Sequence, residues 1–284
     1  MKISEVLKNK RSFSVEVFPP KKEGSIEDLY STIDKIKHLN PDFISVTYGA
    51  GGSTRENTER IARSIKEKFL IIPMAHLTCV GTSKEELEKI VDEFKNSDIK
   101  NVLALRGDIP RDNKYNNSYF KYAYQLVEFL KKRDFCIGVA CYPEKHPEAK
   151  TLEEDIDYLR LKFNSGADFA ITQLFFDNSI FYRFLDKTYK IIGNKIIIPG
   201  IFIITNYVQL KKIAEIANPF IPKKLNEKLE KYKDSPEDIK KIGIEFAIEQ
   251  SLDLLENGVK GIHFYIMNQK ESILKIYPVI KDKF

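Results

Sequence analysis

Phe13-Ser14-Val15-Glu16-Val17-Phe18 is the stretch on which the fold turns. Its branched and aromatic residues leave almost no polar face, the texture of a strand covered on both sides. Pro19-Pro20 closes it, because proline has no N–H to give to a ladder. Glu16 is the exception inside it: a carboxylate between Val15 and Val17 must be partnered, held neutral or used. Seven more runs of the same kind follow: Phe43–Tyr48, Ile71–Val80, Asn101–Leu105, Cys136–Tyr142, Phe169–Phe176, Ile196–Phe202 and Gly261–Met267.

Amphipathic segments separate these runs. Leu29, Ile33, Ile36 and Leu39 share one face at the helical period, as do Leu87, Ile90, Val91 and Phe94. Ile180 and Phe184, then Leu210, Ile213 and Ile216, then Leu252 and Leu255, mark later helices. Capping boxes open three of them, at Ser53–Glu56, Ser83–Glu86 and Thr151–Glu154, and Ser235-Pro236 reads as an N-cap with proline at the first helical position. Eight β-then-α units predict an α/β fold, a single-domain (β/α)8 barrel over residues 1–284; a long open parallel sheet is the alternative. The lysine-rich connection around 218–243 is longer than the others and reads as an inserted surface helix or helix pair.

Bulk composition narrows the classes of function. Apolar residues form 43% of the chain and charged residues 31%, enough for a core and its cover. Forty-six basic and 41 acidic residues leave only +5, interleaved along the chain, so no nucleic-acid footprint is expected. No run approaches the roughly 20 apolar residues of a membrane span, and Met1–Arg11 is polar without the apolar core of a secretory signal. Cys79, Cys136 and Cys141 match no zinc or disulfide spacing and sit in strand-like runs. That predicts a reduced cytoplasmic protein with buried, inert thiols and no metal.

Barrel enzymes gather their chemistry at the carboxyl ends of the strands. Here those ends carry Glu16, Thr47-Tyr48, His76, Arg106-Gly107-Asp108, Tyr142 with His146, Thr172-Gln173, Thr205-Asn206-Tyr207, and His263, Tyr265, Asn268 and Gln269. Each has a plainer reading alone. A strand histidine is more often a hydrogen-bonded core residue than a catalyst. The Gly49–Gly52 loop matches neither dinucleotide nor P-loop patterns, and Asp108 could simply pair with Arg106. Their convergence on one mouth favours a site.

At these residues the chain resembles the catalytic barrel of the methylenetetrahydrofolate reductases, in the short form without a regulatory domain. The resemblance is carried, in family order, by Phe13–Lys21, Ser45–Ala50, Ala75–Cys79, Ala104–Asp108, Cys141–Ala149, Ala170–Asp177, Pro199–Ile201 and His263–Tyr265. It implies a bound FAD and a ping-pong reaction: NADH or NADPH reduces the flavin, which then reduces 5,10-methylenetetrahydrofolate to 5-methyltetrahydrofolate. Flavin contacts carried over by position are Thr47, His76, Arg106, Gly107, Asp108, Tyr122, Ala123, Tyr142, His146, Asp155 and Lys162. Arg106, His146 and Lys162 suit a pyrophosphate, because cationic donors match phosphate oxygens. Glu16 matches the general acid that protonates N10 of the folate, and Asp108 the charge that stabilises the resulting cation. Glu16, Asp108, Gln173, Tyr207 and Gln269 would face substrate. Two positions depart from the family pattern: Gln269 stands where arginine is common, and Pro199–Ile203 lacks a second proline.

The rival enzyme reading is a flavin-free, pterin-binding barrel methyltransferase, which has no use for the Arg106, Tyr142, His146 and Lys162 set. A non-catalytic binding barrel has no use for Glu16. The choice between NADH and NADPH, the oligomeric state and the identity of the electron donor are left open by the sequence.

Overall fold

The computed structural model describes residues 1–20, 25–48, 52–108 and 118–284, with side chains described throughout those ranges except at 52–56 and 216. The capping box at Ser53–Glu56, the loop Gly49–Gly51, Lys21 and the Ile216 side chain therefore lie outside the described residues. One parallel sheet runs through the molecule. Its strands are β1 (Ser12–Val17), β2 (Phe43–Val46), β3 (Ile72–Thr78), β4 (Asn101–Leu105), β5 (Cys136–Cys141), β6 (Phe169–Thr172), β7 (Ile197–Ile198), β8 (Gly200–Phe202) and β9 (Gly261–Tyr265). Their spatial order is β7-β6-β5-β4-β3-β2-β1-β9-β8.

The two ends of that order are neighbours in the chain. β7 pairs with β6 and β8 pairs with β9, and Pro199 alone lies between β7 and β8. Proline cannot donate to a ladder, so the seventh barrel strand switches neighbours there, while the Pro199 carbonyl still accepts from His263 N at 3.0 Å. The sheet thus closes into the eight-fold barrel expected from the sequence, with that strand in two pieces.

Helices cover the outside. They are α2 (Ile26–Lys37), α3 (Gly52–Glu67), α4 (Lys84–Asn96), α5 (Ala123–Lys131), α6 (Leu152–Asn164), α7 (Asn178–Ile192), α8 (Tyr207–Ala217), α10 (Pro236–Glu256) and α11 (Lys270–Ile280). Strand residues that alternate outward, such as Val15, Val17, Ile44, Ala75, Val102, Val139 and Phe264, join the helices' apolar faces in one large buried cluster. Ser83 and Glu86 close the α4 capping box reciprocally, at 3.2 and 2.8 Å. At α6 the box is shifted: Thr151 caps Glu154 N, but the Glu154 carboxylate reaches Lys150 N. Ser235 precedes Pro236 as expected, yet its hydroxyl donates to Asp238.

One feature escaped the pattern reading. The polar amino-terminal stretch forms α1 (Ile3–Asn9), whose Ile3 and Leu7 are fully buried against inward-facing Phe43, Met74, Leu103, Cys136, Phe169, Ile171 and Ile198. Asn101 Oδ1 accepts from Ile3 N at 2.8 Å. That bond satisfies one of the free N–H groups at the helix start and ties it to β4, as α1 stoppers the amino-terminal end of the barrel. The lysine-rich connection contains α9 (Lys223–Lys231), whose Leu225 and Leu229 pack with Leu210, Phe202, Ile204 and Ile239 in a separate cluster. No described helix is long and apolar enough to cross a membrane.

Candidate active site

The strand register sets the inward side chains in layers. The lower layers, which face α1, are mostly apolar; the upper ones are polar. In register, Glu16 on β1 lies between Ser45 on β2 and Tyr265 on β9. Glu16 is only 7% exposed and His76 only 5%, so the carboxylate is surrounded by protein groups. Ser45 Oγ donates to Glu16 Oε2 at 3.4 Å, His76 Nε2 lies 3.3 Å from the same oxygen, and His263 Nε2 lies 3.8 Å away.

A serine stands at each ring nitrogen of His263. Ser14 Oγ donates to Ile262 O at 3.3 Å and lies 2.8 Å from His263 Nδ1. Ser45 Oγ lies 3.2 Å from His263 Nε2. The Ser45 hydroxyl is left between His263 and Glu16. Burial lowers the His76 pKa to about 4, against the pull of Glu16, so its imidazole is neutral near pH 7. Its Nε2 is nevertheless buried without a well-aligned hydrogen bond. A buried polar atom without an aligned partner is costly in a purely structural core.

Tyr265 links this cluster to the opposite wall. Its hydroxyl donates to Thr172 O at 2.6 Å, and Thr172 Oγ1 accepts from Gly200 N at 2.9 Å. A Cβ on Gly200 would stand 2.4 Å from Thr172 O and 2.6 Å from the tyrosine hydroxyl, so glycine is what lets the Thr172 backbone and the Tyr265 side chain approach this closely. Burial, with the Glu16 and Cys141 charges adding to it, pushes the Tyr265 phenol well up.

Beside the cluster, at the ends of β3, β4 and β5, opens a cleft of about 710 Å³, within the range that holds cofactors. Nine of the residues singled out for a flavin line it: Arg106, Gly107 and Asp108 after β4, Tyr122 and Ala123 at the start of α5, Tyr142 and His146 after β5, and Asp155 and Lys162 on α6. Gly107 has φ +87°, and a Cβ there would press on the Thr78 side chain at 3.0 Å, so only glycine sits there without strain. Lys162 Nζ donates to Ala140 O at 2.8 Å, and burial lowers its pKa against the opposing charge of Asp155. Asp155 in turn is raised by burial and accepts from His146 N at 3.0 Å. Burial likewise lowers His146 and raises Tyr142, whose ring meets His146 edge-on at 4.8 Å.

The remaining candidates lie elsewhere. His76 faces Glu16 and does not line the cleft, and Thr47 uses its backbone to bind Val17 O and Thr58 Oγ1. The Gln173 amide oxygen accepts from Leu174 N at 2.9 Å. The Tyr207 hydroxyl donates to Glu230 of α9, and Gln269 stands at the start of α11. Arg106 pairs not with Asp108 but with Glu148, through two bonds of 2.5 and 2.7 Å. Glu148 and Ser45 were not singled out as site residues. Ser45 was recoverable from strand alternation, two residues before Thr47; Glu148 depends on a loop path with no periodicity to read.

Half-buried basic groups, a helix start and aromatic rings around one cleft fit a phosphate-bearing aromatic cofactor. The fold and this site together define a (β/α)8-barrel protein with a nucleotide-sized cleft at the strand carboxyl ends. The methylenetetrahydrofolate reductase family model matches residues 2–281. A 5,10-methylenetetrahydrofolate reductase of Pectobacterium carotovorum is 38% identical over 93% of this chain and 88% of its own length. That of Escherichia coli K12 is 38% identical over 91% and 86%, and the Arabidopsis thaliana methylenetetrahydrofolate reductase (NADH) 1 is 35% identical over 93% of this chain but 47% of its own. The chain belongs to the methylenetetrahydrofolate reductase family. A solved structure of an uncharacterized protein from Clostridium thermocellum, which binds two copies of 5-methyl-5,6,7,8-tetrahydrofolic acid, superposes with TM-score 0.63 at 16% identity, covering 99% of this chain and 98% of that one; this likeness concerns the fold.

Proposed function

We propose that the protein reduces 5,10-methylenetetrahydrofolate to 5-methyltetrahydrofolate with FAD held in the cleft and NADH or NADPH as the electron source. The observation that carries this reading is the juxtaposition of a buried carboxylate cluster, Glu16-Ser45-His76-His263, with a cation-lined cleft at the same end of one barrel. Names of relatives, and the folate bound by the Clostridium thermocellum protein, agree with it.

Arg106, His146 and Lys162 would hold the pyrophosphate, and Asp155 a ribose hydroxyl; the first turn of α5 adds partial positive charge. A flavin held there would supply hydride transfer between the nicotinamide and the folate. Glu16 supplies the proton that this chemistry requires: protonating N10 opens the five-membered ring and leaves a 5-iminium cation. The Ser45 hydroxyl, which donates to Glu16 Oε2, steadies the carboxylate left behind. Asp108, at the cleft wall, stabilises the cation electrostatically. Gln173 reads the pterin edge through its amide, and Tyr207 stacks on a flat ring of substrate or nicotinamide. A catalytic cytoplasmic barrel with a helical insertion at 218–243 is the corresponding whole-chain reading.

Anaerobic stopped-flow absorbance tests this directly. NADH or NADPH added to the flavin-loaded chain bleaches the flavin, and methylenetetrahydrofolate then restores its colour. Failure of both nucleotides to bleach it, or of the folate to restore it, overturns the reading.

A further inference from the structure

Arg106 offers the cleft a planar guanidinium fork, and that fork is taken by this chain's own Glu148. Its two Nη atoms donate to the two carboxylate oxygens, one each, at 2.5 and 2.7 Å, and both residues line the cleft. Carboxylate and phosphate are geometric equivalents for such a fork, so one excludes the other. The two partners differ in freedom. The Arg106 side chain is 23% exposed and its Nε also donates to Gly107 O at 3.3 Å, whereas the Glu148 side chain is 58% exposed and sits on an irregular loop. What anchors Glu148 is its backbone: its N–H donates to His146 Nδ1 at 3.1 Å. The carboxylate can therefore swing outward about its own side-chain torsions without moving the loop.

We infer that Glu148 is a gate: its carboxylate competes with the phosphate of an incoming flavin nucleotide for the Arg106 fork, and must leave before that phosphate can bind. This rests on the flavin reading of the cleft. It gives Glu148 a role distinct from the cations around it, since it weakens nucleotide binding while keeping Arg106 extended into the cleft and ready. A solvent-accessible ion pair is worth up to ~1 kcal/mol, or about fivefold in affinity.

The test compares FAD with riboflavin, which has the same ring and no phosphate, in fluorescence titrations of the full chain and of Glu148→Gln. The gate requires FAD to bind about fivefold more tightly to the variant, with riboflavin unchanged and with less difference for FAD at high salt. Equal or weaker FAD binding by the variant overturns the gate, as does equal strengthening of riboflavin, which would mark relief of steric obstruction. If the unmodified chain binds neither flavin, the reading of the cleft itself fails, and the two failures are thereby distinguished.

Discussion

The two ends of this barrel are built from the same strands and differ in almost everything else. Toward the amino-terminal end, Phe43, Met74, Leu103, Phe169, Ile171 and Ile198 fill the axis and α1 seals it with Ile3 and Leu7. Toward the carboxyl-terminal end, the same inward-pointing alternation places Glu16, Ser45, His76, His263 and Tyr265 around the axis. One end gains stability from close apolar packing; the other holds polar groups out of water, which costs stability unless each is partnered. The contrast teaches that a closed barrel can separate the two tasks along a single strand, as Phe43 and Ser45 do on β2.

That division is open to attack from both ends. The largest expected effect is on chemistry at the upper end: Glu16→Gln removes the acid and should slow reoxidation of reduced flavin by methylenetetrahydrofolate by roughly a thousandfold. Flavin reduction by the nicotinamide and the melting temperature should stay near their unmodified values. If both half-reactions survive, Glu16 is a structural residue. At the lower end the expectation inverts. Leu7→Ala should cost about 2–5 kcal/mol in denaturant unfolding, because α1 cannot collapse into the void, while turnover at low temperature is preserved. A loss well below about 1 kcal/mol would mean that α1 is a dispensable cover.

The smallest effect concerns pH and His76. Its folded pKa, about 4, lies below the ordinary value of 6.5. As pH falls from the ordinary value toward the folded one, the unfolded chain takes up a proton that the folded one refuses. Stability therefore declines across that window, by at most about 3 kcal/mol, and levels off below it. His76→Gln should flatten the stability-pH curve between those values. An unchanged slope would assign the acid sensitivity to other groups.

The alternation of strand and helix textures made the barrel legible. So did Glu16, because a carboxylate in an apolar run contradicts its neighbours. Arg106, Gly107, Asp108, Tyr142 and His146 were legible as polar strand ends, but Tyr122, Ala123, Asp155 and Lys162 only through family resemblance: nothing in the periodicity of α6 distinguishes Lys162, which bonds Ala140 O, from the solvated lysines of α9. Helix α1 was missed for a related reason. Lys2, Lys8 and Lys10 make its surroundings polar, and two apolar residues, Ile3 and Leu7, are too few to display a face until the barrel end that they fill is known.

Local chemistry determined the strand and helix pattern, the buried carboxylate and the polar strand ends, because hydrophobic period and turn residues act over short separations. Tertiary structure alone decided that Arg106 pairs with Glu148 and not Asp108, that the seventh strand changes neighbours at Pro199, and that Ser45 stands between Glu16 and His263. Those choices depend on the closure of a ring whose first and last strands come from opposite ends of the chain; Ser14 and His263, separated by 249 residues, meet at 2.8 Å. A contact made by loop path and ring closure has no periodic signature in the chain, so only the folded geometry selects it.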